Sequence, residues 1–435
     1  MYLSSIDRPS TNRPGSERPG GPAGRGKRLA LIGSNVFALG AVSLVTDVSS
    51  EMVTAILPVY LVVGLSLSPL SYGVIDGTYT GATAVLRLVG GYVADRIRHR
   101  KAVAGMGYAM SAVAKLGLLA VGRSAGAIGL VIAADRAGKG LRTAPRDALI
   151  MLSAPPQALG RAFGIHRTMD SIGAFLGPLV ALAVLSAGSL GNVGNQGFEA
   201  VLVTSFCIAV FGVLVLLLFV RDRRDTRPPA GSVSPRAVLG LMRMAPVRRL
   251  LLAACLLGFA VIGDGFVYLL LQRRENISLG WFPLMAVGTS LAYLLLAFPI
   301  GMLADRIGKL PIVLGGYTTL IGVYLLLFGP VHGWPLLVLV VSLYGFFYAA
   351  TDGVLMALAG PILSERLRTT GIALIQTGQA LAYLASSVLF GLAWQMWGPA
   401  AASRAAAAAV VVAVVATTLL LKSRPTPTAH PEVTS

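Results

Sequence analysis

Two acids inside a long apolar run are the residues of this chain whose chemistry is most evident. Asp47 and Glu51 lie four residues apart, so a helix would place both on one face. Two carboxylates that are close together and poorly solvated should not both ionise easily at neutral pH. A group that loads and releases protons needs this property, so we predict proton coupling or substrate contact here. The alternative is a pair of salt bridges to neighbouring helices, for instance to Arg87 or Lys115.

A run of basic residues crosses another largely apolar region, residues 135–149, DRAGKGLRTAPRDAL. Lipid would exclude such charges, so they must face a cavity or acidic partners. The alternative is that they pair with Asp135, Asp147 and Asp170. Together with two basic residues elsewhere in apolar runs, the candidates to line a cavity are Arg87, Lys115, Arg136, Lys139 and Arg142.

Three further acids are candidates for proton coupling or substrate contact. Asp170 precedes Gly173-Ala-Phe-Leu-Gly177-Pro178, in which small residues four apart permit close helix contact and the proline permits a bend. Asp264 holds about the same position in the seventh apolar run as Asp47 holds in the first. Asp352 follows an aromatic cluster that could contact a cationic or ring-bearing substrate. The alternative for Asp264 and Asp352 is ordinary packing, with tyrosine hydroxyls satisfying each carboxylate.

Composition places these residues in a membrane protein. Of 435 residues, 55% are hydrophobic and only 12% are charged, about half the charge of a soluble domain. We identify twelve runs long enough to cross ~30 Å of hydrocarbon. Their approximate spans are 30–63, 70–94, 101–121, 125–152, 160–187, 198–220, 250–271, 281–304, 311–329, 335–362, 370–392 and 399–421.

The basic residues predict the orientation of these spans. One alternate set of connections and both tails hold 27 Lys and Arg, and the opposite set holds 4. By the positive-inside rule both termini are cytoplasmic. This asymmetry explains most of the net charge of +18 without nucleic acid. We expect cytoplasmic tails at 1–28 and 422–435, six-helix bundles at 29–220 and 250–421, and a cytoplasmic linker at 221–249.

An internal repeat supports two related halves. Gly91-Tyr-Val-Ala-Asp95-Arg96-Ile recurs 210 residues later as Gly301-Met-Leu-Ala-Asp305-Arg306-Ile. Each copy ends the second span of its half. Duplication of a six-helix unit is the simplest explanation.

The repeated segment resembles the loop G-x-L-A-D-R-x-G-R-K of the major facilitator superfamily. The second copy fits closely, whereas the first departs after Asp95-Arg96, with Arg98 in place of glycine. The resemblance covers roughly residues 30–421. It implies an all-α membrane protein with twelve transmembrane helices in two six-helix halves, the major facilitator fold. By the same resemblance, the conformational-switch loops that hold the halves together in one state contain Gly91, Asp95, Arg96, Gly301, Asp305 and Arg306.

Two further segments resemble patterns of proton antiporters in this superfamily. Arg136 followed by Lys139-Gly140 resembles R-x-x-Q-G, with Lys in place of Gln, which implies a role for Arg136 in proton transfer. The motif formed by Gly173, Gly177 and Pro178 resembles the G-x-x-x-G-P of drug and metabolite exporters, and it favours export over import.

Several function classes have no matching motif. The sequence contains no phosphate-binding G-x-x-x-x-G-K-[ST], no H-E-x-x-H or C-x-x-C, and no G-x-S-x-G. We therefore expect no enzyme activity, no cofactor and no metal. His166 is expected to be a loop or interface residue, and Arg273, Arg274 and Glu275 a solvated outer loop.

The sequence thus predicts a secondary transporter with two bundles that move around a central site. The favoured function is proton-coupled efflux of a small organic molecule, a drug or metabolite, by a monomer in the inner (plasma) membrane. Its expected partners are the substrate, protons and the lipid bilayer, and not nucleic acid. One alternative is a proton-coupled importer of a small organic anion. Another is a non-transporting scaffold or receptor on the same fold.

Overall fold

The computed structural model describes residues 33–96, 99–155, 158–187, 195–222, 240–352 and 368–422, together with residues 358 and 363. The predicted tail at 1–28, all but the first residue of the predicted tail at 422–435, and most of the predicted linker at 221–249 lie outside these ranges. The side chains of residue 85, of residues 87–98 and of residues 368–370 lie outside them as well.

The regular structure in the described ranges is helical, without β-strands. In chain order the helices are α1 (Ser34–Val59, continued by a π-helical turn over Tyr60–Gly64), α2 (Pro69–Arg96), α3 (Arg100–Ala120), α4 (Ala125–Ser153), α5 (Leu159–Ala187), α6 (Asn195–Phe219), α7 (Ala245–Phe259), α8 (Asp264–Glu275), α9 (Pro283–Ile307), α10 (Lys309–Leu326), α11 (Gly333–Thr351), α12 (Arg368–Trp397) and α13 (Pro399–Lys422).

These helices follow the predicted spans closely, with two differences. The seventh span is not one continuous helix, because α7 ends at Phe259 and α8 begins at Asp264. The tenth was predicted to continue to residue 362, but α11 ends at Thr351. Ten helical stretches of the described chain are long and apolar enough to cross a membrane. The predicted spans outside this set are α2 and α4, helices of 28 and 29 residues. Charged side chains make α4 less apolar.

The chain divides into two compact units. Unit 1 contains residues 1–67, 85–232 and 278–287, and unit 2 contains the remainder, so the boundary crosses α2 between Ala84 and Val85. In unit 1, α1 packs mainly against α5 and α6, and α3 packs against α4 and α6. The core of this unit is apolar and includes Val36, Leu39, Tyr108, Leu149, Ile150 and Leu216.

Unit 2 has a corresponding helical core. Helix α7 packs against α12 and α13, and α10 packs against α11 and α13. Ile300, Ala304, Ile312, Ala349 and Ala350 form one of its buried apolar clusters. Gly345 of α11 lies against α9, where a methyl group would be 2.8 Å from the Thr289 carbonyl oxygen. Small residues therefore permit close backbone packing in this unit too.

Glycines also set the crossing of α5 on α1. A methyl group at Gly173 would lie 3.0 Å from the Leu44 Cα, and one at Gly177 would lie 2.8 Å from the Val48 carbonyl oxygen. Backbone atoms cannot move aside as a flexible side chain can, so these two positions require glycine. The predicted close helix contact at this motif therefore involves α1. It brings the backbone of α5 directly beside the segment that carries Asp47 and Glu51.

The substitution Gly173→Ala should loosen this crossing. We expect it to destabilise the protein by about 1–3 kcal/mol, the usual cost of inserting a methyl group into a close-packed interface. Gly164→Ala is the matched control on the same helix, because a methyl group there would meet nothing within 4 Å. The thermal midpoint of the purified protein in detergent measures both effects. Equal midpoints for the two variants would contradict the assigned contact.

Candidate functional site

The most strongly bonded acid of unit 1 is Asp135, on α4. Its carboxylate accepts hydrogen bonds from the Ser111 hydroxyl and from Arg136, whose Nε lies 2.9 Å away. The Lys115 ammonium of α3 lies 3.7 Å from the same carboxylate. The side chains of Lys115 and Arg136 are only 5% and 4% exposed, so two cations are buried with one acid that holds both. Such a cluster has a structural role, because removing one partner would leave buried charge uncompensated.

Close packing of α3 on α4 positions this cluster. Gly107 and Gly138 face each other, and a methyl group at Gly107 would lie 3.0 Å from the Arg142 backbone nitrogen. Two residues without side chains at the crossing allow the helices to approach closely. The Tyr108 ring consequently lies under Arg142, with the guanidinium carbon 4.5 Å from the ring centroid. A cation stacked on an aromatic face is stabilised by the ring quadrupole.

Asp47 is held much more loosely than Asp135. Its shortest ion pair in the described chain joins Oδ1 to the Arg142 guanidinium at 3.9 Å, beyond hydrogen-bond distance. The side chains of Asp47 and Arg142 are 13% and 4% exposed. Lys139, one turn before Arg142 on α4, lies within electrostatic range of both Asp47 and Glu51. The predicted salt bridge from this pair to Lys115 is not formed, because Lys115 is bound to Asp135 instead.

A second carboxyl group approaches Asp47 from α5. Asp170 lies beside Asp47 across the close contact of α5 with α1, near enough for the two carboxyl groups to interact electrostatically. Asp170 also accepts a 3.4 Å contact from Arg167, whose side chain is 72% exposed. Glu51 lies one turn further along α1, where its Cβ packs against Gly177. The glycine motif on α5 thus brings Asp170 onto the face of α1 that carries both predicted coupling acids.

His166, predicted to be a loop or interface residue, is not in a loop but lies where α5 contacts α1. It lies inside α5 and is 4% exposed, with Nε2 2.8 Å from the Ser43 hydroxyl of α1. The ring is within electrostatic range of Asp47 and of the Arg146–Asp147 ion pair of α4. The predicted span began at residue 160, in agreement with the observed helix to within one residue. The helix begins at residue 159, so His166 lies two turns inside it.

Four basic residues of low exposure in the described part of unit 1 each lie beside an acid. Lys115 and Arg136 share Asp135, Arg142 faces Asp47, and Arg146 bonds Asp147 at 2.9 Å. The predicted ion pairing of the basic stripe with acids is therefore present in part, with Asp47 as an additional partner. The side chain of the fifth basic candidate, Arg87, lies outside the described part of the chain.

In unit 2 the break between α7 and α8 is held by side chains from three other helices. The Ile262 N–H donates to the Tyr324 hydroxyl at 2.9 Å, and its carbonyl accepts from the Tyr344 hydroxyl at 2.6 Å. The Ser386 hydroxyl donates to the Val261 carbonyl at 2.8 Å. In a continuous helix these backbone groups would have bonded to one another. Side-chain hydroxyls satisfy them instead, so the break is a stable part of the fold. Asp264, the first residue of α8, accepts from the Gly265 N–H.

Asp76 is a further acid within an apolar span, and it is not among the site residues predicted from the sequence. It lies on the part of α2 that belongs to unit 2, and its Oδ2 accepts from the hydroxyls of Tyr383 and Ser387 on α12, each at 2.7 Å. A methyl group at Gly263 would be 2.8 Å from this same oxygen, so Asp76 lies against the helix break beside Asp264. The rule that selected Asp47, an acid within an apolar span, applies equally to Asp76.

The remaining candidates are Asp352 and the two switch segments. Asp352 is exposed at the end of α11, where it accepts a 3.2 Å hydrogen bond from Tyr293. The second switch segment ends α9, with Asp305 and Arg306 exposed and Gly308 in a left-handed conformation at φ +98°. Gly301 lies within the same helix. The backbone of the first switch segment, Gly91, Asp95 and Arg96, is helical, and its side chains lie outside the described part.

The predicted solvated loop at Arg273, Arg274 and Glu275 is wrong in conformation, and only Arg273 is exposed. These residues form the last turn of α8. Arg274 is only 15% exposed and donates to the carbonyl oxygens of Leu326, Gly329 and Val331 at 2.6–2.7 Å. A guanidinium with five donors can bind several carbonyls at a helix end, so a run of charges need not be solvated.

The two acids Asp135 and Asp47 should differ in their effect on stability. We expect Asp135→Asn to cost about 3–5 kcal/mol, because it leaves Lys115 and Arg136 buried without their shared anion. Asp47→Asn should cost much less, since its one ion pair is long. Thermal unfolding of the purified variants measures the order. A larger loss in Asp47→Asn than in Asp135→Asn would contradict this assignment.

Comparison with known proteins agrees with this architecture. The family model of the Major Facilitator Superfamily matches residues 39–288 and 275–435. Over 374 residues the chain is 29% identical to an uncharacterized MFS-type transporter of Methanocaldococcus jannaschii, covering 84% of this chain and 89% of that protein. Over 205 residues it is 30% identical to an uncharacterized protein of Mycobacterium tuberculosis, covering 47% of each.

Solved structures show the same fold. A mutant of the nucleoside transporter NupG superposes with a TM-score of 0.76 at 17% identity, covering 89% of this chain and 100% of that chain. A D-xylose–proton symporter superposes with a TM-score of 0.69 at 15% identity, covering 90% and 98%. The predicted all-α membrane fold is thereby confirmed. The chain belongs to the Major Facilitator Superfamily and is a multi-pass membrane transporter of small molecules, not an enzyme.

Proposed function

We propose that this transporter exports a small organic molecule in exchange for protons. The observation that supports this most is the approach of Asp170 to Asp47 inside unit 1, where the shortest ion pair of Asp47 is 3.9 Å long. Two carboxylates that face each other repel, and a proton bound between them removes the repulsion. Asp135, in contrast, is fully engaged by donors and is unsuited to exchange a proton.

Proton exchange at this pair would change the charge of a buried cluster by one unit. With the proton bound, Asp47 no longer needs Arg142, whose guanidinium remains stacked on Tyr108. With the proton released, the carboxylate attracts Arg142 and Lys139. A ligand shifts a conformational equilibrium only through its different affinity for the two states. Protonation therefore drives transport if the two states of the transporter solvate this cluster differently.

The structure favours this function over import of an organic anion. An anion site would need basic side chains that are available to the substrate. In the described part of unit 1, Lys115 and Arg136 are bound to Asp135, and Arg142 lies between Asp47 and Tyr108. Three of the four basic candidates in the described part are thus used for internal ion pairs, and the fourth, Lys139, lies within electrostatic range of Asp47 and Glu51.

The acids of unit 2 suggest the kind of molecule that is carried. Asp76 and Asp264 lie beside one another at the helix break, and the rings of Tyr348 and Tyr383 are partly exposed nearby. Carboxylates flanked by aromatic faces suit a cationic or ring-bearing substrate. We assign substrate contact to this region, and we assign no such role to the exposed Asp352.

The proposal also includes the direction of transport and the membrane in which the protein lies. The likeness of the α5 motif to the G-x-x-x-G-P of exporters favours efflux, and the bias of basic residues favours cytoplasmic termini. An inner (plasma) membrane location is consistent with both. Membership of a family of transporters leaves little support for the scaffold or receptor alternative.

Whole-cell content tests the direction and the coupling without knowledge of the substrate. Cells that express the wild-type protein should contain less of at least one small organic compound than cells expressing Asp47→Asn, as measured by mass spectrometry of cell extracts. An ionophore that collapses the pH gradient should remove the difference. Glu199→Gln is the control, because Glu199 is an exposed acid of α6 outside the cluster.

Three results would contradict the proposal. Higher content in wild-type cells would indicate import, and a difference that survives collapse of the pH gradient would exclude proton coupling. Equal contents in wild-type and Asp47→Asn cells, with both proteins present at equal levels in the membrane, would remove Asp47 from the mechanism.

A further inference from the structure

Helices α1 and α5 present matching pairs of polar residues to each other. Ser43 and Asp47 lie one turn apart on α1, and His166 and Asp170 lie one turn apart on α5. Ser43 is hydrogen-bonded to His166 at 2.8 Å, and Asp47 faces Asp170. The four side chains form two adjacent rungs between the helices. Residues four apart on a helix are neighbours, with Cβ atoms about 5–6 Å apart, so each side chain also adjoins the one on the next rung.

The rung formed by Ser43 and His166 lies closer than the two acids to the end of the bundle at which α1 and α5 begin. Helix α1 begins at Ser34 and α5 at Leu159, and both Ser43 and His166 precede their acids. On the same side lies the Arg146–Asp147 pair of α4, and its Asp147 side chain is 38% exposed. His166 itself is 4% exposed and Asp47 13%. The Asp170 side chain is 20% exposed and that of Asp147 is 38% exposed, so the imidazole lies between the carboxyl pair and an acid that water reaches more freely.

We propose that His166 relays protons between the Asp47–Asp170 pair and solvent at the end of the bundle where α1 and α5 begin. This inference rests on the proposed proton coupling and adds the route by which the proton arrives and leaves. Imidazole is suited to the task because each ring nitrogen can accept or donate a proton. No other imidazole in the described part of the chain lies near these acids.

The relay balances in protons. When the pair is deprotonated, the carboxyl group loses its proton through the Ser43 hydroxyl, or a water beside it, to Nε2 of the neutral ring. The ring then carries protons on both nitrogens and releases the one on Nδ1 to water or to Asp147, whose Oδ1 is bonded by Arg146. The net change is one proton moved from the pair to solvent. Protonation of the pair follows the same steps in reverse.

The charged and titratable groups around the ring come from every helix packed on it. They are Ser43 and Asp47 of α1, Arg146 and Asp147 of α4, and Arg167 and Asp170 of α5. One exposed arginine, the Arg146–Asp147 pair and the two-acid rung thus surround one imidazole. Apart from Asp147 and Arg167, each of these side chains is 20% exposed or less, so the ring offers a route from the pair to the more exposed Asp147.

Proton uptake by the purified protein in lipid nanodiscs tests the relay without a transported substrate. The pH of a weakly buffered sample is lowered in a stopped-flow mixer, and a pH-sensitive dye reports the number of protons bound and the rate. His166→Gln should bind as many protons as the wild type, but should bind those of the pair more slowly by about a hundredfold, the low end of the effect of a positioned proton donor. His332→Gln is the matched control, since His332 is 68% exposed and belongs to unit 2.

Two further variants separate a relay from a structural role. His166→Ala should be slow, and imidazole in the buffer should restore its rate, which a merely structural role does not predict. Ser43→Ala keeps the ring and removes its hydrogen bond, so it should slow uptake even if His166→Gln fails to fold. A wild-type rate in Ser43→Ala and in every folded His166 variant, or slow uptake that imidazole does not accelerate, would overturn the relay.

Failure of the relay can be distinguished from failure of the proposed coupling. Asp47→Asn should bind fewer protons than the wild type. If Asp47→Asn binds the full number, the proposed coupling site is wrong whatever His166 does. If Asp47→Asn loses protons while the His166 variants keep the wild-type rate, the coupling stands and only the relay is wrong.

Discussion

The glycine-mediated contact between α1 and α5 is the constraint on which the proposed mechanism depends. Gly173 and Gly177 let the backbone of α5 approach α1 over the segment from Leu44 to Glu51. This approach brings Asp170 to Asp47, and His166 to Ser43 one turn away. With larger residues at these positions the helices would separate, and the two acids could be solvated independently.

Asp135 and Asp47 of unit 1 differ in how their negative charge is compensated. Asp135 is surrounded by donors and holds two cations, so its charge is compensated in place. Asp47 has a long ion pair and an acidic neighbour, and we propose that a proton compensates its charge. In an apolar bundle an uncompensated charge is costly. The same physical cost therefore stabilises one cluster and, in the proposed mechanism, makes the other responsive to protons.

Much of this arrangement could be predicted from the sequence, and the exceptions have physical causes. Apolar run length located the helices, and the repeat at Gly91 and Gly301 led to the family. The break before Asp264 was missed, because its backbone is satisfied by Tyr324, Tyr344 and Ser386, which are distant in sequence. For the buried charges, the sequence predicted several possible ion-pair partners but did not specify which pairs form. Which acid Lys115 would bind depends on the contact between α3 and α4, which spacing along one chain does not specify.

Infrared difference spectroscopy of the reconstituted protein tests the central claim most directly, because the C=O stretch of a protonated carboxyl group is separate from that of a carboxylate. Between acidic and alkaline buffer, the wild-type protein should show a titrating carboxyl band. That band should be lost in Asp47→Asn and should persist in Asp135→Asn. A band that remains unchanged in Asp47→Asn would contradict the claim that this acid carries the transported proton.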